Sequence, residues 1–161
     1  MVFMNRPSII VSGYVSDTAG FVAEKRRKSY EILQESNALG LTAKGTFQRL
    51  KETQLECSVP GWDGERAIAV SGDVLELAQM FLLSLPWGIE MPEISAERDG
   101  AMTLEWSRSS SRIISISINP GGWIYYASIL GSSRQHGVDF LLPIGVSENL
   151  VKLISLVTAT S

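Results

Sequence analysis

Between Gly61 and Phe140 the chain is broken by turn signals at short intervals, and this spacing constrains the fold more than any other feature. Asp99-Gly100, Asn119-Pro120-Gly121-Gly122 and Gly131-Ser132-Ser133 each combine residues that accept positive φ or bond their own backbone. The runs between them alternate with period two. Glu93 to Glu97 is short; Ala101 to Trp106 sets Met102, Leu104 and Trp106 on one face. After a Ser/Arg turn, Arg112 to Ile118 sets Ile114, Ile116 and Ile118 against Ser115 and Ser117. Trp123 to Leu130 pairs back, and Gln135 to Leu141 closes the series. Alternation with one polar face predicts an antiparallel meander.

Helical patterns flank these strands. Ser71 is a suitable N-cap, Asp73 suits the first turn, and Val74, Leu75, Leu77, Ala78, Phe81, Leu82 and Leu85 form a broad apolar face that Pro86 ends. Ser147 is expected to cap a last helix with Leu150, Val151, Leu153, Ile154 and Val157 apolar. Helices, then strands, then a helix predict an α+β fold: an antiparallel β-meander of about four to six strands with helices packed on one face. Ahead of the first of these helices, Pro60-Gly61-Trp62-Asp63-Gly64-Glu65 reads as a turn. Asp63 is placed to bond the backbone two residues on, and Trp62 to anchor a structural clasp; a recognition loop is the alternative.

The first 56 residues are less patterned. Ser8 to Val15 suits a strand, and Asp17 or Thr18 is expected to cap a helix to about Asn37, with Gly40 as its stop. A shorter helix is expected over Ala43 to Glu56, capped by Thr42, with Phe47, Leu50 and Leu55 apolar. We therefore divide the chain into an N-terminal strand and helical segment, 1–56, docked or arm-like, and an α+β core domain, 57–161.

From Pro60 to Phe140 the order Gly-Trp-Asp-Gly, Leu-Glu-Leu-Ala-Gln-Met-Phe-Leu, Met-Pro-Glu-Ile-Ser, Asp-Gly-Ala-Met-Thr-Leu-Glu-Trp, Ile-Ser-Ile-Asn-Pro-Gly-Gly and Trp-Ile-Tyr-Tyr-Ala resembles a loose group of small, mostly uncharacterised bacterial proteins. They share a Trp-Asp-Gly turn, a helix, a Pro-Glu step and an Asp-Gly β-meander. The shared motifs are turns and core positions, so the resemblance implies a fold and brings no activity with it.

Composition narrows the function classes. No run of about 18 apolar residues is present, so no membrane span is expected. Pro7 to Val15 is interrupted by Ser8, Ser12 and Gly13 and reads as a buried strand rather than a signal peptide, which points to the cytoplasm. A lone Cys57 forms no internal disulfide and reads as a small apolar core residue. Charge is uneven: up to Glu56 eight Lys/Arg face six Asp/Glu, and from Cys57 onward six face eleven, giving the net −3 overall. The acidic body would repel a phosphate backbone. Lys25, Arg26, Arg27 and Lys28 form a basic run. It reads as a solvated helix face balanced by Glu24 and Glu31; the alternative is contact with nucleic acid or an acidic protein.

Catalytic patterns are sparse. His136 and Asp139 fall on opposite faces of a regular strand, so pairing them needs a bulge. None of Ser107, Ser109, Ser110, Ser111, Ser115 and Ser117 lies in a nucleophile elbow. Glu93, Glu97 and Glu105 offer a two-carboxylate geometry but read first as a solvated sheet face. No phosphate cradle or metal-ligand spacing is present, so no cofactor and no metal is expected. The stronger candidate is a recognition surface on the polar face of the meander, with Trp123 and Tyr125 among Thr103, Glu105, Ser115, Ser117 and Arg112, unless the N-terminal helices cover that face. The leading expectation is a non-enzymatic module with a protein partner: an inhibitor, an immunity or antitoxin factor, or an anti-defence factor of a phage or mobile element. The alternatives are a small enzyme with a carboxylate or His136 site, and a nucleic-acid-binding regulatory module using residues 25–28. A dimer is compatible with the composition.

Overall fold

The computed structural model describes residues 40–142 and 145–160. The strand expected at Ser8 to Val15, the helix expected to reach Asn37 and the basic run Lys25 to Lys28 lie outside the described residues.

Five strands form one antiparallel sheet in the order β1-β2-β3-β4-β5, each paired with its neighbour in sequence. They are β1 (Glu93–Ala96), β2 (Met102–Ser109), β3 (Arg112–Ile118), β4 (Trp123–Leu130) and β5 (Ser133–Phe140). Three helices complete the described α+β layout: α1 (Gly40–Glu56), α2 (Gly72–Leu83) and α3 (Glu148–Thr158). The turns behave as their residues dictate. At Asp99-Gly100, the Asp99 carboxylate accepts from Ala101 N at 3.0 Å, while Gly100 sits at φ 87°. A Cβ there would lie 3.1 Å from the Ala69 carbonyl oxygen, so glycine answers both the backbone angle and the close approach.

One face of the sheet is the core. Met102, Leu104 and Trp106 of β2, Ile114, Ile116 and Ile118 of β3, and Ile124 of β4 are all buried there. Against them α2 lays Val74, Ala78, Phe81 and Leu82, and α3 lays Leu150, Leu153, Ile154 and Val157. Both helices start as expected, with Ser71 accepting from Val74 N and Ser147 accepting from Leu150 N, each at 3.4 Å. Phe81 and Trp106 meet with ring centroids 6.5 Å apart, and the Trp106 indole donates to the Glu90 carbonyl at 2.6 Å.

Several boundaries differ from expectation. Helix α1 takes in Gly40, the first described residue of this stretch, and Thr42 lies inside the helix rather than capping it. Glycine is accepted at a helix N-terminus as well as beyond a C-terminus, and the residue type alone does not choose between them. The buried side of α1 is Ala43, Thr46, Leu50 and Thr53, continuing to Cys57, and Leu55 is 73% exposed. Steps of three and four residues carry that side, and Leu55 lies well around the helix from it. Strand β2 runs on to Ser109 through a register shift between Ser107 and Ser109, and β5 begins at Ser133 rather than Gln135.

The Trp62 turn is a clasp. Asp63 Oδ1 accepts from Glu65 N at 2.9 Å and Ala67 N at 3.1 Å, and the Trp62 indole donates to the Ile68 carbonyl at 3.0 Å. Arg98 closes it from the β1–β2 turn, its Nε 2.6 Å from Asp63 Oδ2 and its Nη2 on Glu65.

Candidate recognition surface

The second face of the sheet follows from strand register. With one residue of each pair directly across from the next, Ser95, Thr103, Ser117, Tyr125 and Val138 form one row across all five strands. Glu93, Glu105, Ser115, Ala127 and His136 form the next. Opposed residues of an antiparallel pair share a face, so these rows lie on the side away from the buried isoleucines.

The two rows, with Trp123 and Phe140 beside them, grade from polar to aromatic. On β1 to β3 the side chains are Glu, Ser and Thr, and Thr103, Glu105, Ser115 and Ser117 are half-buried. On β4 and β5 they become large and apolar: Trp123 is 51% exposed, Tyr125 49%, Val138 56% and Phe140 40%. Trp123 and Phe140 are cross-strand partners, packed edge to face with centroids 5.2 Å apart at an interplanar angle of 75°. That contact limits their rotation, so the two rings present a fixed shape at little further entropy cost to a partner.

The structure sorts the remaining candidates. Glu105 lies on this face, directly opposite Glu93 on one side and Ser115 on the other. Arg112 does not join it. In β3 it has the parity of Ile114, on the helix side, and its Nη2 donates to the Leu156 and Ala159 carbonyls at 2.7 and 2.8 Å. There it supplies donors and positive charge at the C-terminal end of α3. Lys25, Arg26, Arg27 and Lys28 lie outside the described residues.

Of the catalytic candidates, Glu93 and Glu105 are direct cross-strand partners, whereas His136 and Asp139 do not come together. The β4–β5 register runs without a shift, so His136 stays on the aromatic side and Asp139 on the other, where its carboxylate accepts from Phe140 N at 2.7 Å. Glu97, beyond the end of β1, accepts a hydrogen bond from Thr103 Oγ1. Among the described residues no group of three or more His, Cys, Asp or Glu side chains is placed to hold a metal ion. Cys57 is buried, and burial, with the Glu56 charge beside it, pushes its thiol pKa up, away from a nucleophilic thiolate. An open depression of about 540 Å³ beside the clasp is lined by Glu65, Arg66 and Arg98, whose charges already include an ion pair.

Two members of the surface escaped the sequence reading. The sequence puts Val138 and Phe140 in a strand but does not fix their face; their cross-strand partners Tyr125 and Trp123 supply it. The signal was present in the parity of the β4–β5 turn, because Leu130 opposite Ser133 sets every later pair. No helix among the described residues is long and apolar enough to cross a membrane. No family model matches the chain, and no curated protein and no solved structure matches it.

Proposed function

We propose that this chain is a non-enzymatic protein-binding module whose contact surface is the aromatic end of the sheet. The observation that carries the reading is the grouping of Trp123, Tyr125, Val138 and Phe140, all exposed, on one face of two adjacent strands. Exposed large apolar side chains are ordinary when scattered, and a contiguous group rimmed by polar residues is the usual form of a recognition site. Trp and Tyr are the residue types that most often dominate binding energy, and the half-buried Glu105, Ser115 and Ser117 supply the polar rim. The acidic balance from Cys57 onward favours a target with a basic surface. An inhibitor, an immunity or antitoxin factor, or an anti-defence factor acting on a nucleic-acid-binding enzyme fits that chemistry, and a reducing cytoplasm suits the free Cys57.

The test is capture of partners from host lysate with the wild-type chain, Trp123→Ala and Tyr125→Ala, each washed at low and high salt. One stoichiometric protein retained by the wild type and lost with both variants is the expected result, each substitution weakening binding by ~2 kcal/mol or more. Equal retention by all three chains would refute the surface. Turnover abolished by Glu105→Gln in a folded protein would refute the non-enzymatic reading.

A further inference from the structure

The two edges of the sheet are treated differently. Edge strand β1 has four residues and α1 packs against it. Short length and a covering helix are standard protections against unwanted strand pairing. Edge strand β5 has eight residues, contains no proline, and is exposed on both faces along Ser133 to His136. Its inner face is spanned from β4 by the Tyr126 ring: a Cβ on Gly137 would lie 2.5 Å from Tyr126 Oη, so only glycine fits beneath it.

The direction of its backbone groups is also set. Leu141 N donates to the Gly122 carbonyl at 2.9 Å, toward β4. Peptide groups alternate along a strand, so Arg134, His136, Val138 and Phe140 turn their N–H and C=O away from β4. No described strand pairs with that edge.

We propose that β5 is a self-recognition edge, through which two copies of this chain pair antiparallel about a two-fold axis at Gly137 to make one continuous sheet. A two-fold normal to the sheet keeps each face on its own side, so only residues of equal parity can be opposed. The register centred on Gly137 pairs residues 134–140 and leaves only Ser133 of the eight-residue strand beyond the overlap. It sets Arg134 against Phe140, His136 against Val138, and Gln135 against Asp139. These are a guanidinium beside an aromatic ring, an imidazole beside an aliphatic group, and an amide donor beside a carboxylate, with no like charges opposed. Such a register joins the outward N–H and C=O groups of His136 and Val138 in both directions, while Phe140 N, which donates to its own Asp139 carboxylate at 2.7 Å, exchanges that bond to reach Arg134 of the second copy. Centring on His136 would oppose two imidazoles, and centring on Val138 would leave Arg134 beyond the paired strand. A second copy therefore meets this edge with a complementary sequence and complementary backbone. This interface is separate from the partner surface proposed above, although the two share Phe140.

Sedimentation velocity of the full chain over a wide concentration range tests the proposal, alongside His136→Pro and Arg134→Glu. Proline at 136 removes an outward N–H and leaves the ladder to β4 intact, as edge strands tolerate. The wild type is expected to reach a dimer of twice its 17.6 kDa. His136→Pro, with unchanged circular dichroism and urea midpoint, is expected to weaken dimerisation roughly tenfold or more, because two symmetry-related hydrogen bonds are lost. Arg134→Glu, which sets a carboxylate against the Phe140 ring in place of the guanidinium, is expected to weaken it too and serves as the readout if the proline variant does not fold. A wild type that stays monomeric throughout, or a dimer that folded variants leave intact, would overturn the proposal.

Discussion

Asp63 shows how much of a loop one carboxylate can organise. It accepts from two backbone N–H groups and from the Arg98 guanidinium, and these hold its pKa below the usual carboxylate range, the Glu65 backbone bond contributing most. Because the folded pKa is depressed, the stabilisation is present above the unfolded-state pKa of about 4 and is lost as pH falls through the folded value. Asp63→Asn keeps an acceptor for the turn but removes the charge. Its melting temperature is expected to fall below that of the wild type at neutral pH, and the gap to close on acidification below about pH 4; thermal scans across that range check it. Ser128 is the opposite case. Its hydroxyl is buried in β4 with no hydrogen-bond partner, a residue type the sequence disguises as an ordinary strand serine. Ser128→Ala removes that unmet group at little loss of packing, and urea unfolding is expected to show a gain of about 1 kcal/mol.

At the scale of elements, Arg112 was the residue most easily misplaced. A charge in a serine-rich strand suggests the polar face beside Trp123, whereas the position of Arg112 in β3 puts it with Ile114, where it closes the end of α3. Arg112→Met keeps the aliphatic stem but not the donors. It is expected to cost about 1 kcal/mol in urea unfolding, and Arg112→Lys to recover only part of it, because an ammonium lacks the planar fork that reaches two carbonyls. The contrast explains what could be read from the chain. Strands β3 and β4 were legible to the residue because isoleucines alternate with serines in β3, and glycine turns follow β3 and bracket β4. The helix starts at Ser71 and Ser147 were legible from capping chemistry. Helix α1 was less so: Leu50 and Phe47 join the core as apolar residues should, but Thr46 and Thr53 share the buried side while Leu55 faces solvent. The recognition surface was half legible: Trp123 and Tyr125 follow from alternation within one strand, while Val138 and Phe140 need the cross-strand register.

Across the whole molecule, the described helices α2 and α3 bury one face of the sheet, and the aromatic groups gather toward β4 and β5 on the other. Protection is uneven in the same direction, with the β1 edge short and packed by α1 and the β5 edge long and, among the described residues, unpaired by another strand. The meander order carries one more consequence, for how the chain reaches this state. Every strand pairs with the strand next to it in sequence, so each hairpin closes a loop of a few residues and spends little chain entropy before its hydrogen bonds form. The sheet can therefore assemble as a zipper from any of its turns. The last helix must instead return across the sheet, its Leu156 carbonyl meeting Arg112 over a sequence separation of 44 residues. Distant closures of this kind slow folding more than local pairings do. The closure of α3 on the sheet belongs with these distant contacts, as does that of α1 on β1, and a truncated or still-emerging chain would display the isoleucine face that α3 hides.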